Sequence, residues 1–165
     1  MINQNCCNRY KETIVKSSLL RNFFLLFLFS LPVFSYADAQ DDEVAAWTQT
    51  TLLNTFTLDY DSYEEDIAAN RINYTQNARD ALRGFLGNYL SVIEENQLSL
   101  HPQALGNAQI INEGYFSGIH FWRINQAIAI PELSIQIAFS IVVVKVNGDP
   151  PYLVQSVSMI KQPYP

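Results

Sequence analysis

The chain has 165 residues, 48% of them hydrophobic, 16% charged and 13% aromatic, which is enough for one ordinary domain with a short tail. That composition excludes both a multidomain enzyme and a disordered chain. Ten Lys and Arg against sixteen Asp and Glu give a net charge of −6, and the acidic balance argues against nucleic acid as a partner, which needs clustered cations to displace counterions from phosphates.

In the first 22 residues Arg9, Lys11, Lys16 and Arg21 stand against the single acid Glu12, and the unbroken apolar run Phe23 to Phe29 follows directly. This order predicts the n-region and h-region of a signal peptide over residues 1–37. The small residues of Ser35-Tyr36-Ala37 and Ala37-Asp38-Ala39 fit the narrow pocket of signal peptidase, so cleavage is expected after Ala37 or Ala39. The rival expectation is an uncleaved anchor, but Phe23 to Ala37 spans 15 residues where a crossing takes roughly 20. Location in the periplasm after cleavage is therefore expected, the alternative being a single-pass inner-membrane protein with its domain in the periplasm. Both cysteines, Cys6 and Cys7, fall in the removed part, so the domain expected over 41–161 cannot rely on disulfides and its core must suffice.

Helical periodicity dominates from Asp41 to about Asn96. Asp41, Asp42 and Glu43 place carboxylates where a helix leaves its first N–H groups unpaired, which predicts a start there. Val44, Trp47, Leu52, Phe56 and Tyr60 recur on one face. Asp59 to Ser62 reads as a turn, followed by a short helix from Glu64 to Ala69. Thr75 is the expected cap of the next helix, whose stripe is Ala78, Leu82, Phe85, Leu86, Tyr89 and Ile93. Gly84 and Gly87 interrupt it, at about 1 kcal/mol each relative to Ala, which predicts either an element packed closely over them or a kink.

From Leu100 the period changes to two. Gln109 to Ile111 is expected to end at Asn112-Glu113-Gly114, and Phe116 to Ile119 to turn the chain into a strand carrying Trp122, Ile124, Ile128 and Ile130. After a break at Pro131-Glu132, Ile135 to Val144 reads as a central strand because Val142 and Val144 make both faces apolar. Asn147 to Pro151 is a turn by composition, and Tyr152 to Lys161 is the last strand. Helices first and consecutive antiparallel strands afterwards predict an α+β fold, with a curled sheet of about four strands around the helices.

Little in the chain points to catalysis. His101 and His120 stand 19 positions apart and no cysteine survives export, so neither a metal nor another cofactor is expected. The run Asp59 to Asp66 has the acidity of a calcium loop but lacks the glycine at the sixth position and carries Asn70 where the bidentate glutamate belongs, so it reads as a solvated acidic turn. His120 with Asp59 or Asp80 is the one pairing that would serve acid–base chemistry in the mouth of such a cone. The remaining signal is aromatic. Trp47 and Trp122 are expected to fill the core, whereas Tyr60 and Tyr63 are as well placed for an interface. A protein interface is accordingly expected over Asp59, Tyr60, Asp61, Tyr63, Glu64 and Glu65, met by a basic partner surface.

Val44-Ala45-Ala46-Trp47, Phe56-Thr57-Leu58-Asp59-Tyr60 with Ser62-Tyr63, and Tyr74-Thr75 opening a helix that reaches Phe85-Leu86 resemble the periplasmic domain of the DotI/IcmL proteins of type IVB secretion systems. Asn112-Glu113-Gly114-Tyr115 before Trp122-Arg123-Ile124, and the strand ending Ile141 to Val146, are similar to that family in the same order. The resemblance spans about Val44 to Lys161 and implies a cone like that of nuclear transport factor 2. It also implies a non-catalytic scaffold or accessory subunit of a secretion or conjugation apparatus, with other apparatus proteins as partners and homo-oligomerisation possible. The alternative is an exported cone that binds a small ligand or acts as an enzyme.

Overall fold

The computed structural model describes residues 37–164; the signal-peptide expectation over residues 1–36 lies outside them. Helix α1 (Ala37–Phe56) begins four residues before the expected start, so Asp41, Asp42 and Glu43 sit in its second turn, away from the positive end of the dipole. Asp41 serves the sheet instead: its Oδ1 accepts the indole N–H of Trp122 at 2.9 Å. Val44, Leu52 and Phe56 are buried. The helix stops at Phe56 because the Leu58 backbone is drawn off to Leu100, each donating to the other's carbonyl at 3.3 and 2.8 Å. Tyr60 therefore leaves the helical stripe to which the four-residue spacing assigned it and lies in the next turn.

Helix α2 (Tyr63–Asn70) runs into a 3₁₀ turn over Arg71–Asn73, and the chain then reaches Thr75. Thr75 caps α3 (Gln76–Asn96) by accepting the Ala78 N–H at 3.3 Å, and it also donates its hydroxyl to the Gln155 carbonyl and its N–H to the Val154 carbonyl. One residue thus satisfies a helix end and fixes it to the sheet. At the other end Gln97 takes a left-handed conformation at φ 51°, and the Leu98 N–H returns to the Ile93 carbonyl. Gly84 and Gly87 are exposed within one unbroken helix, and a Cβ at either would meet nothing within 4 Å. Neither a closely packed element nor a break accounts for them.

The sheet is antiparallel throughout. Strands β3 (Ile119–Ile130), β4 (Ile135–Lys145) and β5 (Tyr152–Gln162) are neighbours in chain order, while β1 (Gln103–Ala104) and β2 (Gln109–Phe116) share the outer side of β3. β2 does not end at Asn112-Glu113-Gly114. Those residues pair with Arg123, Trp122 and Phe121 after a bulge between Ile110 and Asn112, because cross-strand pairing outweighs their turn composition. The turn itself is Ser117-Gly118, with φ of 51° and 81°, the positive pair that a two-residue hairpin needs.

Trp122, Ile124, Ile128 and Ile130 of β3, alternate residues from Ile135 to Val143 of β4, and Tyr152, Val154 and Val157 of β5 are buried with the helices. The half-buried Val142 and Val144 lie on the other face of the central strand. Trp122 is fully buried and Trp47 packs partly buried against the same core. Helix α1 runs antiparallel to β2. Asp41 meets Trp122, which is in register with Glu113, whereas eight residues on the Gln49 side chain accepts the Ala108 N–H at 3.1 Å. The start of α1 and the β2–β3 hairpin tip therefore share one pole, and the end of α1 marks the other.

Candidate protein-binding surfaces

The acidic turn is a built structure. Asp59 Oδ1 accepts the Asp61 N–H at 3.2 Å and lies 3.4 Å from the Ser99 hydroxyl, which in turn accepts the Tyr60 N–H; the Ser62 N–H closes the turn on the Asp59 carbonyl at 3.0 Å. The Leu58–Leu100 bridge, with both side chains buried, holds its base. Asp59, Asp61 and Glu65 are exposed and Tyr60 is half-buried, and Tyr63 and Glu64 open α2 directly behind. The segment thus brings all six expected interface positions into one turn and helix start.

His120 does not meet Asp59 or Asp80. Asp59 is in the turn just described, and Asp80 lies on α3 with Gln76 and Arg83. The ring of His120 is stacked on Tyr115 at 4.5 Å and 10°, tilted against Trp122 at 4.0 Å, and its Nε2 is 3.5 Å from Glu113. Trp122 continues to Tyr152 at 5.7 Å, and Tyr152 to Trp47 at 5.5 Å. The histidine is thereby one step of an aromatic stair from hairpin to core. Burial, with the Glu43 carboxylate beside it, raises the Tyr152 hydroxyl above its ordinary value.

A second histidine has a carboxylate partner. His101 offers its backbone N–H and Nδ1 to Glu132 Oε1 at 3.2 and 3.0 Å, joining the strand entering β1 to the turn before β4. Burial would raise the Glu132 carboxyl, but hydrogen bonds from its own backbone and from His101 outweigh it and hold it low. Both groups lie far along the sheet from His120, and among the described residues no three His, Cys, Asp or Glu side chains gather as a metal site. No described helix is long and apolar enough to cross a membrane.

Two further surfaces went unread in the sequence. At the first pole Tyr115, Phe116 and Ile119 are 74%, 76% and 50% exposed around the hairpin turn. Away from it a groove of about 290 Å³ runs along α3, lined by Leu82, Leu86 and Leu90, by Thr55 and Tyr74, and by Arg71, Arg79 and Arg83. The buried Tyr74 hydroxyl shares a 2.7 Å hydrogen bond with Thr55; its burial pushes it up to about 12, with that bond acting the other way. The spacing of Arg79 and Arg83 beside Leu82 and Leu86 was readable on α3, but Arg71 and Thr55 come from other elements and only folding adds them.

Helices laid against one face of a curled, five-stranded antiparallel sheet, with an aromatic stair running from the hairpin to the core, define an α+β domain of the cone class. A family model described as the DotI/IcmL type IVb secretion-system inner-membrane complex component matches residues 27–138, about two thirds of the chain, and the chain belongs to that family. The fold is similar to that of the periplasmic domain of DotI, with a TM-score of 0.64 at 16% identity over 73% of this chain and 94% of that one. A periplasmic fragment of TraM gives 0.62 at 18% identity, covering 79% of this chain and 99% of the fragment. An IcmL-like type IV secretion protein from Legionella pneumophila subsp. pneumophila str. Philadelphia 1 gives 0.57 at 13% identity, over 75% and 94%. Among curated protein sequences no relative matches.

Proposed function

We propose that the chain is a non-catalytic scaffold or accessory subunit of a type IVB secretion or conjugation apparatus, exported to the periplasm and acting through contacts with other apparatus proteins. The match to the DotI/IcmL family over residues 27–138 carries this reading, and the shared fold supports it. Removal of residues 1–37 or 1–39 accompanies export, with single-pass anchoring in the inner membrane as the other arrangement. N-terminal sequencing of the exported protein separates them, since an intact Met1 in the membrane fraction excludes cleavage.

Asp59, Tyr60, Asp61, Tyr63, Glu64 and Glu65 form one contact surface for a basic partner. Exposed carboxylates at Asp59, Asp61 and Glu65 crowd one turn of an already acidic protein, and a cationic surface relieves that repulsion. Reversal of Glu64 and Glu65 to Lys then slows association and reduces its salt dependence, while Tyr63→Ala weakens binding by about 1 to 2 kcal/mol. The test of the function as a whole is a secretion or conjugation assay on a strain lacking the chain, complemented with wild type or His120→Ala. Loss without the chain and full rescue by His120→Ala are expected. Failure of a folded His120→Ala protein to rescue would favour the enzyme or ligand-binding alternative.

A further inference from the structure

We infer that the groove along α3 is a second docking surface, which receives an acidic amphipathic helix of a partner protein. Charge is the first ground. From Ala37 onward the chain holds six Lys and Arg against fifteen Asp and Glu, and Arg71, Arg79 and Arg83, half of those cations, line this one groove. Among the described residues little neutralises them. Arg79 donates to the Arg71 carbonyl at 3.3 Å and to the neutral Gln76 amide oxygen at 2.7 Å, while Arg83 has Asp80 at 3.3 Å in a pair that is more than half exposed on both sides and so weakly held. A carboxylate arriving from a partner gains the forked donors of guanidinium groups that are already in place.

Shape is the second ground. Leu82, Leu86 and Leu90 follow one another at four-residue intervals, so the apolar floor is a strip about 12 Å long, and Leu90 at its end is 37% exposed. A volume of about 290 Å³ takes two or three aliphatic side chains, the anchors that a helix presents along one face. Arg79 and Arg83 stand one turn apart beside that strip, which matches carboxylates one turn apart on a helix better than the single head group of a lipid.

This inference rests on the scaffold reading, and the experiment keeps the two apart. The probe is a fluorescein-labelled 18-residue peptide with Leu at helical spacing flanked by Glu, measured by anisotropy against the full chain beside a twin carrying Lys for every Glu. The acidic peptide should bind about tenfold or more tightly than its twin and lose affinity with added salt. Arg79→Gln with Arg83→Gln should weaken it about tenfold, and Leu90→Glu, at a part-exposed position that leaves the core intact, should do the same. Equal binding of the two peptides, or unchanged affinity in both folded variants, overturns the proposal. So does sodium laurate binding with the peptide silent, or self-association of the chain that the arginine variant abolishes with the peptide silent. If secretion is lost on deletion of the chain yet intact in a groove variant that binds no peptide, the groove falls and the scaffold reading stands.

Discussion

Asp41→Ala tests the bond by which α1 holds the sheet. Trp122 is fully buried, and its indole N–H donates to the Asp41 carboxylate at 2.9 Å. Truncating Asp41 takes that acceptor away, and a buried unsatisfied donor costs about 1 to 3 kcal/mol, more where the lost acceptor was charged. Asp41 is itself partly exposed on the trough between α1 and β2, and water reaching the vacated position recovers some of this, so about 1.5 to 2 kcal/mol is expected. For a domain of this size that lowers the melting temperature by roughly 5 to 8 °C. Trp122→Phe removes the donor together with part of the ring and costs about 2 to 3 kcal/mol through the cavity it leaves. The two losses should not add. In the Trp122→Phe background Asp41→Ala should cost under about 0.5 kcal/mol, a coupling of at least about 1 kcal/mol in a double-mutant cycle read by urea denaturation. An Asp41→Ala penalty equal in both backgrounds would refute the assignment of its effect to the indole bond.

Gly84→Ala and Gly87→Ala should each raise stability by up to about 1 kcal/mol, since both positions are exposed, helical and open to a methyl group; calorimetry that found either variant destabilised would expose a hidden contact. Tyr74 is protonated more tightly in the folded state than its ordinary value of 10.0, so its contribution is complete below pH 10 and is lost as the pH rises toward 12. A shift of that size is worth on the order of 2 to 3 kcal/mol, and Tyr74→Phe should flatten that alkaline limb in pH-dependent melts. Glu132 is held below its ordinary value of 4.5, so its contribution is complete above that pH and disappears as the pH falls through the folded value. The melting difference between wild type and Glu132→Gln should accordingly shrink as the pH is lowered through and below 4.5.

The parts of the fold visible in the sequence were those fixed by short-range periodicity. Thr75 with its stripe to Ile93 predicted α3, and the alternation from Ile135 to Val144 predicted the central strand, because each pattern is complete within one element. Asn112-Glu113-Gly114 misled because turn composition is a local preference, whereas Trp122 and Phe121, further along the chain, supply the pairing that overrides it. Asp41 misled for the same reason: its local meaning as a helix-start carboxylate gave way to a partner 81 residues away. The acidic turn was readable because its residues are contiguous. The partner of His120 was not, since Glu113 comes near it only through the hairpin register, and the arginine-lined groove needed three elements to meet.

Helix α1 sets a fixed length along the domain. Twenty residues at about 1.5 Å each carry the chain about 30 Å from Ala37 to Phe56 in a rod clamped to the sheet at Asp41 and Gln49. The acidic turn lies just beyond the far end, and Thr55 of the groove just before it. Anything bound there is set off from the start of α1 by a fixed length, not by a flexible linker whose reach fluctuates. Adding or deleting one helical turn in α1 would move that distance by about 5 Å and also break the Asp41 or Gln49 clamp, so length and attachment cannot change independently.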